Sequence, residues 1–379
     1  MKNFQRLLFI GLLLSGFIVG TIQAQTVDEI YSKFVKRYHT YGSTTLPYHV
    51  FTPDNYTPQT HYPLVLCLHG AGEKGDNEFA VKLNSMATVW ARDSNQTRWP
   101  CFILVPQCKI GHWWPDSDMI LTVNDILDSL LREFSIDTNR LYVTGLSMGG
   151  YGTWDIITRF PDKFAAAIPV CGVGDPSKAA SIKHIPIWDF HGALDYTVPV
   201  AGSREMIAAL ENAGDTVVYT HCHLGDCTGL PENIIAEKIR NGAKLLYTEY
   251  ASGGHSIWDQ AYNTIFLLPW TFSQSKAQGS TSTEKEYVSL LPENSCLLQN
   301  FPNPFNPITN IPFFVGKNSY TSLRVYDVLG REVAIVFSGE LPAGSYSQQW
   351  NAQNFPSGVY FYHLSAGSFT QTKKLVLLK

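Results

Sequence analysis

Residues 141–150 read Leu-Tyr-Val-Thr-Gly-Leu-Ser-Met-Gly-Gly, and their local chemistry decides how the chain folds. Leu141 to Thr144 is a short run of strand composition. It ends at once in Gly145-Leu146-Ser147-Met148-Gly149, and a helix-compatible stretch, Tyr151 to Phe160, comes next. A serine with glycine two places before and two places after it, set between a strand and a helix, matches a tight turn that lifts the hydroxyl above a sheet. The glycines let strand, turn and helix approach closely. The pentapeptide alone recurs by chance. The flanking strand and helix patterns separate it from an ordinary glycine-rich turn.

Working outward, strand-like and helix-like segments alternate. Pro63 to His69 is an apolar run ending in glycines, and Cys101 to Pro106 is another. Met119 to Phe134 places apolar residues at Ile120, Val123, Ile126, Leu127, Leu130, Leu131 and Phe134. That is helical spacing, with Asp116 to Asp118 offering an N-cap. Ala165 to Val170, Ile185 to Phe190 and Leu245 to Tyr250 read as further strands, and Val200 to Leu210 as a helix. The alternation predicts an α/β domain: a mostly parallel sheet with helices on both faces.

Ligands and reacting groups gather at the carboxyl ends of such strands. Ser147 is the candidate nucleophile. Its partners should come after it in the order acid, then histidine. Asp195, in His191-Gly192-Ala193-Leu194-Asp195, comes just after a buried strand; its rival Asp189 lies within that strand. His255, in Gly253-Gly254-His255, comes after the Leu245 to Tyr250 strand. His69 and His191 also stand at strand ends, but before the nucleophile or the acid, and are expected to brace loops. The row Ser147, Asp195, His255 would pass a proton from serine to histidine and form an acyl-enzyme that water releases. His69-Gly70-Ala71-Gly72-Glu73 comes after the early strand. The N–H of Ala71, with that of Met148 after the nucleophile, is the expected pair of oxyanion donors.

The chain has 379 residues, a formal net charge of −4 and no basic run, so a nucleic-acid partner is not expected. Lys2 and Arg6 precede an apolar stretch, Leu7 to Ile22, with Gln23-Ala24-Gln25 after it. Residues 1–24 therefore read as a secretory signal, cleaved after Ala24, and no membrane span is expected after its removal. Seven cysteines suit an oxidising compartment without a dense disulfide scaffold. Cys101 and Cys108 would lie roughly 20 Å apart along a strand and cannot pair. Cys67 and Cys171 read as buried thiols. Cys222 and Cys227, closing a short loop, are the best pair. No metal or organic cofactor is expected. Past Phe272 the character changes. Residues 273–289 are rich in Ser and Thr and read as a linker, and residues 290–379 carry strand alternation with turns at Leu329-Gly330, Pro342-Ala343-Gly344 and Pro356-Ser357-Gly358. This predicts a small all-β sandwich, with the α/β domain occupying residues 25–272.

Several segments carry a more specific likeness: CLHGAGEKGDN, PQCKIGHWWPD, DTNRLYVTGLSMGGYGTWD, FPDKFAAAIPVCG, PIWDFHGALDYTVPV and GGHSIWDQAY. With them the region from Pro63 to about Phe272 resembles α/β-hydrolase carboxylesterases often described as predicted peptidases, close to feruloyl and polyhydroxybutyrate-depolymerase-like esterases. The resemblance implies a serine esterase whose serine, acid and histidine fall on Ser147, Asp195 and His255. Feruloyl or acetyl esters of plant polysaccharides, or polyesters, would be the substrates. A prolyl-oligopeptidase-type serine peptidase and a noncatalytic binding protein on the same fold are the alternatives. The segments QNFPNPFNPITNI, LRVYDVLGREV and FPSGVYFYHLSAGSFTQTKKLVLLK resemble the C-terminal sorting domain of the type IX secretion system. That likeness implies export through the periplasm, a secreted or cell-surface destination, and the secretion machinery as partner.

Against the family pattern, Asp215 to Asn241 is an additional stretch. It reads as a strand, Thr216 to Thr220, then a loop, then a helix from Pro231 to Arg240. The loop His221 to Leu230, stapled by Cys222 and Cys227, is expected on the active-site rim. A metal site of His221, Cys222, His223 and Cys227 lacks the usual zinc spacing. Trp113 and Trp114 come after the Cys101 to Pro106 strand and are expected to supply an aromatic wall for substrate.

Overall fold

A computed structural model describes residues 25–222, 232–277, 295–298, 300, 303–342 and 344–379. The expected signal segment, most of the expected linker and Cys227 lie outside the described residues.

The first part of the chain runs α1 (Val27–Tyr31), β1 (Phe34–Tyr41), β2 (Thr44–Phe51), β3 (Tyr62–Leu68), a 3-10 turn (Ala71–Glu73), α2 (Phe79–Lys82), α3 (Ser85–Ala91), α4 (Asp93–Arg98) and β4 (Phe102–Pro106). It continues through α5 (Ser117–Glu133), β5 (Ile136–Leu146), α6 (Met148–Arg159), β6 (Ala166–Val170), a second such turn (Pro176–Lys178), α7 (Ala179–Ile182), β7 (Ile187–Gly192) and α8 (Ala201–Asn212). Then come β8 (Val217–Cys222), α9 (Glu232–Arg240), β9 (Leu245–Tyr250), α10 (Trp258–Tyr262) and α11 (Leu267–Ser273). These strands form one sheet in the order β1-β2-β4-β3-β5-β6-β7-β9-β8. All pairs are parallel except β1 with β2 and β2 with β4.

Residues 62–68 show why the sheet is covered on both faces. Leu64, Leu66 and Leu68 alternate toward a core shared with α5 and α6, while Val65 and Cys67 face one shared with α3 and α11. A strand buried on both faces needs a continuous apolar run rather than polar alternation. Helix α5 buries Met119, Ile120, Val123, Ile126, Leu127 and Leu130 along one side. Asp116 stands at its N-cap position, but its carboxylate accepts the Trp113 N–H instead of capping the helix. Because β4 lies on one side of β3 and β5 on the other, the chain reverses its direction across the sheet there. The loops after β3 and β5 therefore flank a crevice at the carboxyl edge.

The additional stretch supplies β8 and α9. β8 takes the outer edge beyond β9, so β9 pairs directly with β7. The C-terminal part folds as two antiparallel sheets: β10 (Cys296–Leu297), β11 (Ile308–Val315) and β14 (Gly344–Asn351) in one, and β13 (Glu332–Leu341), β12 (Ser319–Tyr326), β15 (Gly358–Ala366) and β16 (Phe369–Leu377) in the other. Their inner faces share a core that includes Ile311, Phe313, Leu323, Val325, Trp350, Tyr362 and Leu375. Among the described residues no helix is long and apolar enough to cross a membrane.

Candidate active site

Ser147 stands between β5 and α6 with φ 53° and ψ −118°, a conformation that side chains rarely adopt. The surrounding glycines explain how it is tolerated. A Cβ on Gly145 would collide with the Gly149 carbonyl, and one on Gly149 would overlap the Leu68 carbonyl of the neighbouring strand. The turn is held from below by the Ser147 N–H, which donates to Val170 O at 2.8 Å.

The loops after β7 and β9 are stitched together. Ala193 N–H donates to Tyr250 O at 2.9 Å and Leu194 N–H to Gly253 O at 2.8 Å. Gly192 has no room for a side chain, because a Cβ there would overlap the Gly253 and Gly254 carbonyls. This stitching brings Asp195 and His255 together although 60 positions separate them. Asp195 Oδ2 lies 2.7 Å from His255 Nδ1, and His255 Nε2 lies 2.9 Å from Ser147 Oγ. The ionised carboxylate can only accept, so Nδ1 carries the hydrogen and Nε2 is free to accept the serine hydroxyl. Burial works against the Asp195 charge, but the bond to His255 and the N–H groups of Val198 and Thr197 outweigh it. The carboxyl is held below its ordinary value. The His255 ring also packs edge-on against Trp258, with centroids 5.5 Å apart. Asp189 stays inside β7, fully buried, and neither of its oxygens has a hydrogen-bond partner.

Ala71 and Met148 are the first residues of the 3-10 turn and of α6. N–H groups at such positions have no acceptor within their own helix. The Ala71 loop is anchored by two side chains. The fully buried Gln107 donates to Glu73 O at 2.6 Å and accepts the Asn77 N–H at 2.9 Å. His69 accepts the Cys108 N–H at Nε2, 2.9 Å away, so its hydrogen sits on Nδ1 and points at Gly70 O, 2.6 Å away. Burial keeps that ring neutral by lowering its pKa to about 4. A polar glutamine directly after a buried strand was the available signal for Gln107.

The two tryptophans part company. Trp114 is fully buried, donates its indole N–H to His69 O at 2.8 Å and packs on the His69 ring. It does not form a wall for substrate. A Cβ on Gly152 would come within 2.6 Å of the Trp114 side chain, so helix α6 closes over it. Trp113 is 48% exposed, meets Tyr151 edge-on at 6.2 Å and lies beneath Lys74 at 5.0 Å. Tyr151 is one turn along α6 from Ser147. Exposed Ile110, Leu194 and Tyr196 stand in the loops after β4 and β7. Cys67, Cys101, Cys108 and Cys171 are buried free thiols. The expected Cys222–Cys227 bridge and the loop it would staple fall outside the described residues; β8 ends at Cys222, beside Tyr250 at the carboxyl edge.

Residues 122–189 match the prolyl oligopeptidase family, and residues 299–378 match the secretion system C-terminal sorting domain. A solved thermostable esterase is 37% identical, with a TM-score of 0.56, over 65% of this chain and 64% of its own. A bifunctional acetylxylan esterase/xylanase of Neocallimastix patriciarum is 27% identical over 39% of this chain. Poly(3-hydroxyalkanoate) depolymerase C of Paucimonas lemoignei is 25% identical over 51% of it. The chain spans 21% and 54% of the length of these two curated relatives. The sorting domain marks a secreted or cell-surface protein. The chain has an α/β-hydrolase fold similar to that of the thermostable esterase, and its residues 299–378 match a secretion system C-terminal sorting domain.

Proposed function

We propose that this protein is a serine carboxylic ester hydrolase acting through Ser147, His255 and Asp195. The observation that carries the reading is the continuous row from Ser147 Oγ through His255 to Asp195 at the carboxyl edge of the sheet. His255 takes the serine proton as Oγ attacks the ester carbonyl. Asp195 holds the imidazole tautomer and stabilises the imidazolium. The N–H groups of Ala71 and Met148 receive the oxyanion. His255 returns the proton to the leaving alcohol, and a water that it then activates splits the acyl-enzyme, releasing the acid and restoring Ser147.

The ester bonds would be those of extracellular polymers: acetyl or feruloyl esters of plant polysaccharides, or polyesters. The acetylxylan esterase and polyhydroxyalkanoate depolymerase relatives support that choice, as does the exposed Trp113 near Tyr151. Export would run through the type IX machinery by way of the C-terminal domain. The match of residues 122–189 to the prolyl oligopeptidase family favours amide hydrolysis as a second reading. Turnover of p-nitrophenyl esters of rising chain length, methyl ferulate and a peptide anilide by wild type and Ser147→Ala tests both. Ester turnover lost in the variant supports the esterase, and anilide turnover supports the peptidase. A folded protein inert to all of them and to a fluorophosphonate is a binding protein.

A further inference from the structure

His191 is fully buried at the end of β7, yet both ring nitrogens are engaged. Nε2 lies 2.9 Å from Val198 O, and Nδ1 lies 2.8 Å from Ser203 Oγ, in the first turn of α8. A carbonyl only accepts, so Nε2 carries the hydrogen and Nδ1 takes the serine hydroxyl. Burial lowers the ring's pKa, which favours this neutral form. The same Nε2 is 3.4 Å from Asp195 Oδ2, the oxygen that meets His255. The other carboxylate oxygen accepts the N–H groups of Thr197 and Val198, each at 2.9 Å. Asp195 is thus held by its own turn on one side and faces two histidines on the other.

We propose that His191 is a positioning residue for the reaction. Its Nε2–H, assigned by the Val198 carbonyl while Ser203 holds the opposite nitrogen, donates to Val198 O, faces the Asp195 carboxylate at 3.4 Å and so fixes the plane in which Asp195 meets His255. The inference rests on the roles proposed above for Ser147, His255 and Asp195. The chemistry selects histidine here. One N–H must bond a carbonyl while facing a carboxylate of the same turn, and the opposite nitrogen must be held by a neighbour so that the ring cannot flip. Without that donor the buried Val198 carbonyl loses its partner and Oδ2 loses the positive edge of the His191 ring, so that His255 and the two N–H groups on Oδ1 hold the carboxylate less firmly.

The test uses the full chain and four variants. His191→Met fills similar volume without a donor. His191→Gln places an amide N–H near the Nε2 position. Ser203→Ala keeps the ring and its bond to Val198 O but removes the hydroxyl that holds Nδ1 against rotation, and Ser147→Ala serves as reference. The expected result is a kcat about 10- to 100-fold lower in His191→Met with KM little changed, most of it regained in His191→Gln, and an intermediate loss in Ser203→Ala. Turnover near wild type in His191→Met, or equal losses in the Met and Gln variants, overturns the proposal. If the His191 variants do not fold, Ser203→Ala decides: an unchanged kcat refutes the lock and a lowered kcat at constant KM upholds it. Fluorophosphonate labelling separates the two levels of the argument. Labelling or turnover that survives in Ser147→Ala defeats the serine mechanism, and this inference with it. Labelling lost in Ser147→Ala leaves the His191 result to stand by itself.

Discussion

Asp189→Asn probes a carboxyl buried within the sheet. Asp189 sits mid-strand in β7, fully buried, with no hydrogen-bond partner for either oxygen. Burial pushes its carboxyl from 3.8 up to about 7, against the weaker pull of the nearby Ser203 hydroxyl and Phe190 N–H, neither of which makes a well-formed bond with it. Below pH 3.8 the folded and unfolded chains both hold the proton, and ionisation leaves stability alone. Above that the unfolded chain ionises and the folded one does not. Stability therefore falls by about 1.4 kcal/mol per pH unit until the folded carboxyl also ionises. Across the window from 3.8 to about 7 the loss reaches roughly 4 kcal/mol, an upper bound that any water reaching the carboxylate would lower. Asparagine has the same shape and cannot ionise. Whatever fixed offset the amide brings, the stability difference should move in favour of Asp189→Asn by about 2–4 kcal/mol between about pH 4 and about pH 8. In a domain of this size that is about 5–15 °C in Tm. Differential scanning calorimetry of both proteins at closely spaced pH values reads it directly. A Tm difference that stays constant across the range would mean that Asp189 ionises like an exposed acid, and the burial argument would fail.

Other substitutions test the site. Ser147→Ala should lower ester turnover by at least about 10⁴-fold while leaving the melting temperature nearly unchanged; substantial residual turnover would place the nucleophile elsewhere. Gly149→Ala has no space for its methyl against the Leu68 carbonyl, so soluble folded protein should not accumulate; a folded, active variant would show that the turn can open. Trp113→Ala should raise KM for aryl esters about 5-fold and leave p-nitrophenyl acetate within about 2-fold, because the ring offers contact area rather than chemistry. Equal losses on both substrates would remove Trp113 from the substrate wall.

The alternation of apolar runs with helical spacing makes the α/β class legible without coordinates. Seven contiguous parallel strands need continuous apolar segments such as residues 63–68, and those stand out in a sequence. Two short features leave no such mark. The β1–β2 hairpin exposes Val35, Tyr38 and Tyr41 alongside Lys36 and Thr40 in β1 and is almost continuously buried in β2, so it shows no strong period. The helices α2 to α4 are too short to show one. Trp113 and Trp114 are adjacent in sequence and opposite in fate, since spacing alone does not say which ring turns inward. Only the buried His69 carbonyl and the space left by the missing side chain of Gly152 draw Trp114 under α6. The ties from His191 to Val198, Ser203 and Asp195 are equally hidden, because they join a strand end to a turn and to the helix beyond it.

Local and periodic features are legible in the residues alone: the strand–turn–helix around Ser147, the order along the chain of the candidate residues Ser147, Asp195 and His255, the polar break after Phe272 and the all-β character of the C-terminal part. Each arises from backbone geometry acting over a few residues, so composition and spacing suffice to reveal it. The tertiary structure decided the distances. Strand order put β9 beside β7 and sent β8 to the edge, close packing at Gly192 drew the Asp195 and His255 loops together, and His69 and His191 were enclosed completely while His255 kept part of its ring exposed. Those outcomes depend on which segments share a surface, and that is settled only when the whole sheet and both of its cores have formed.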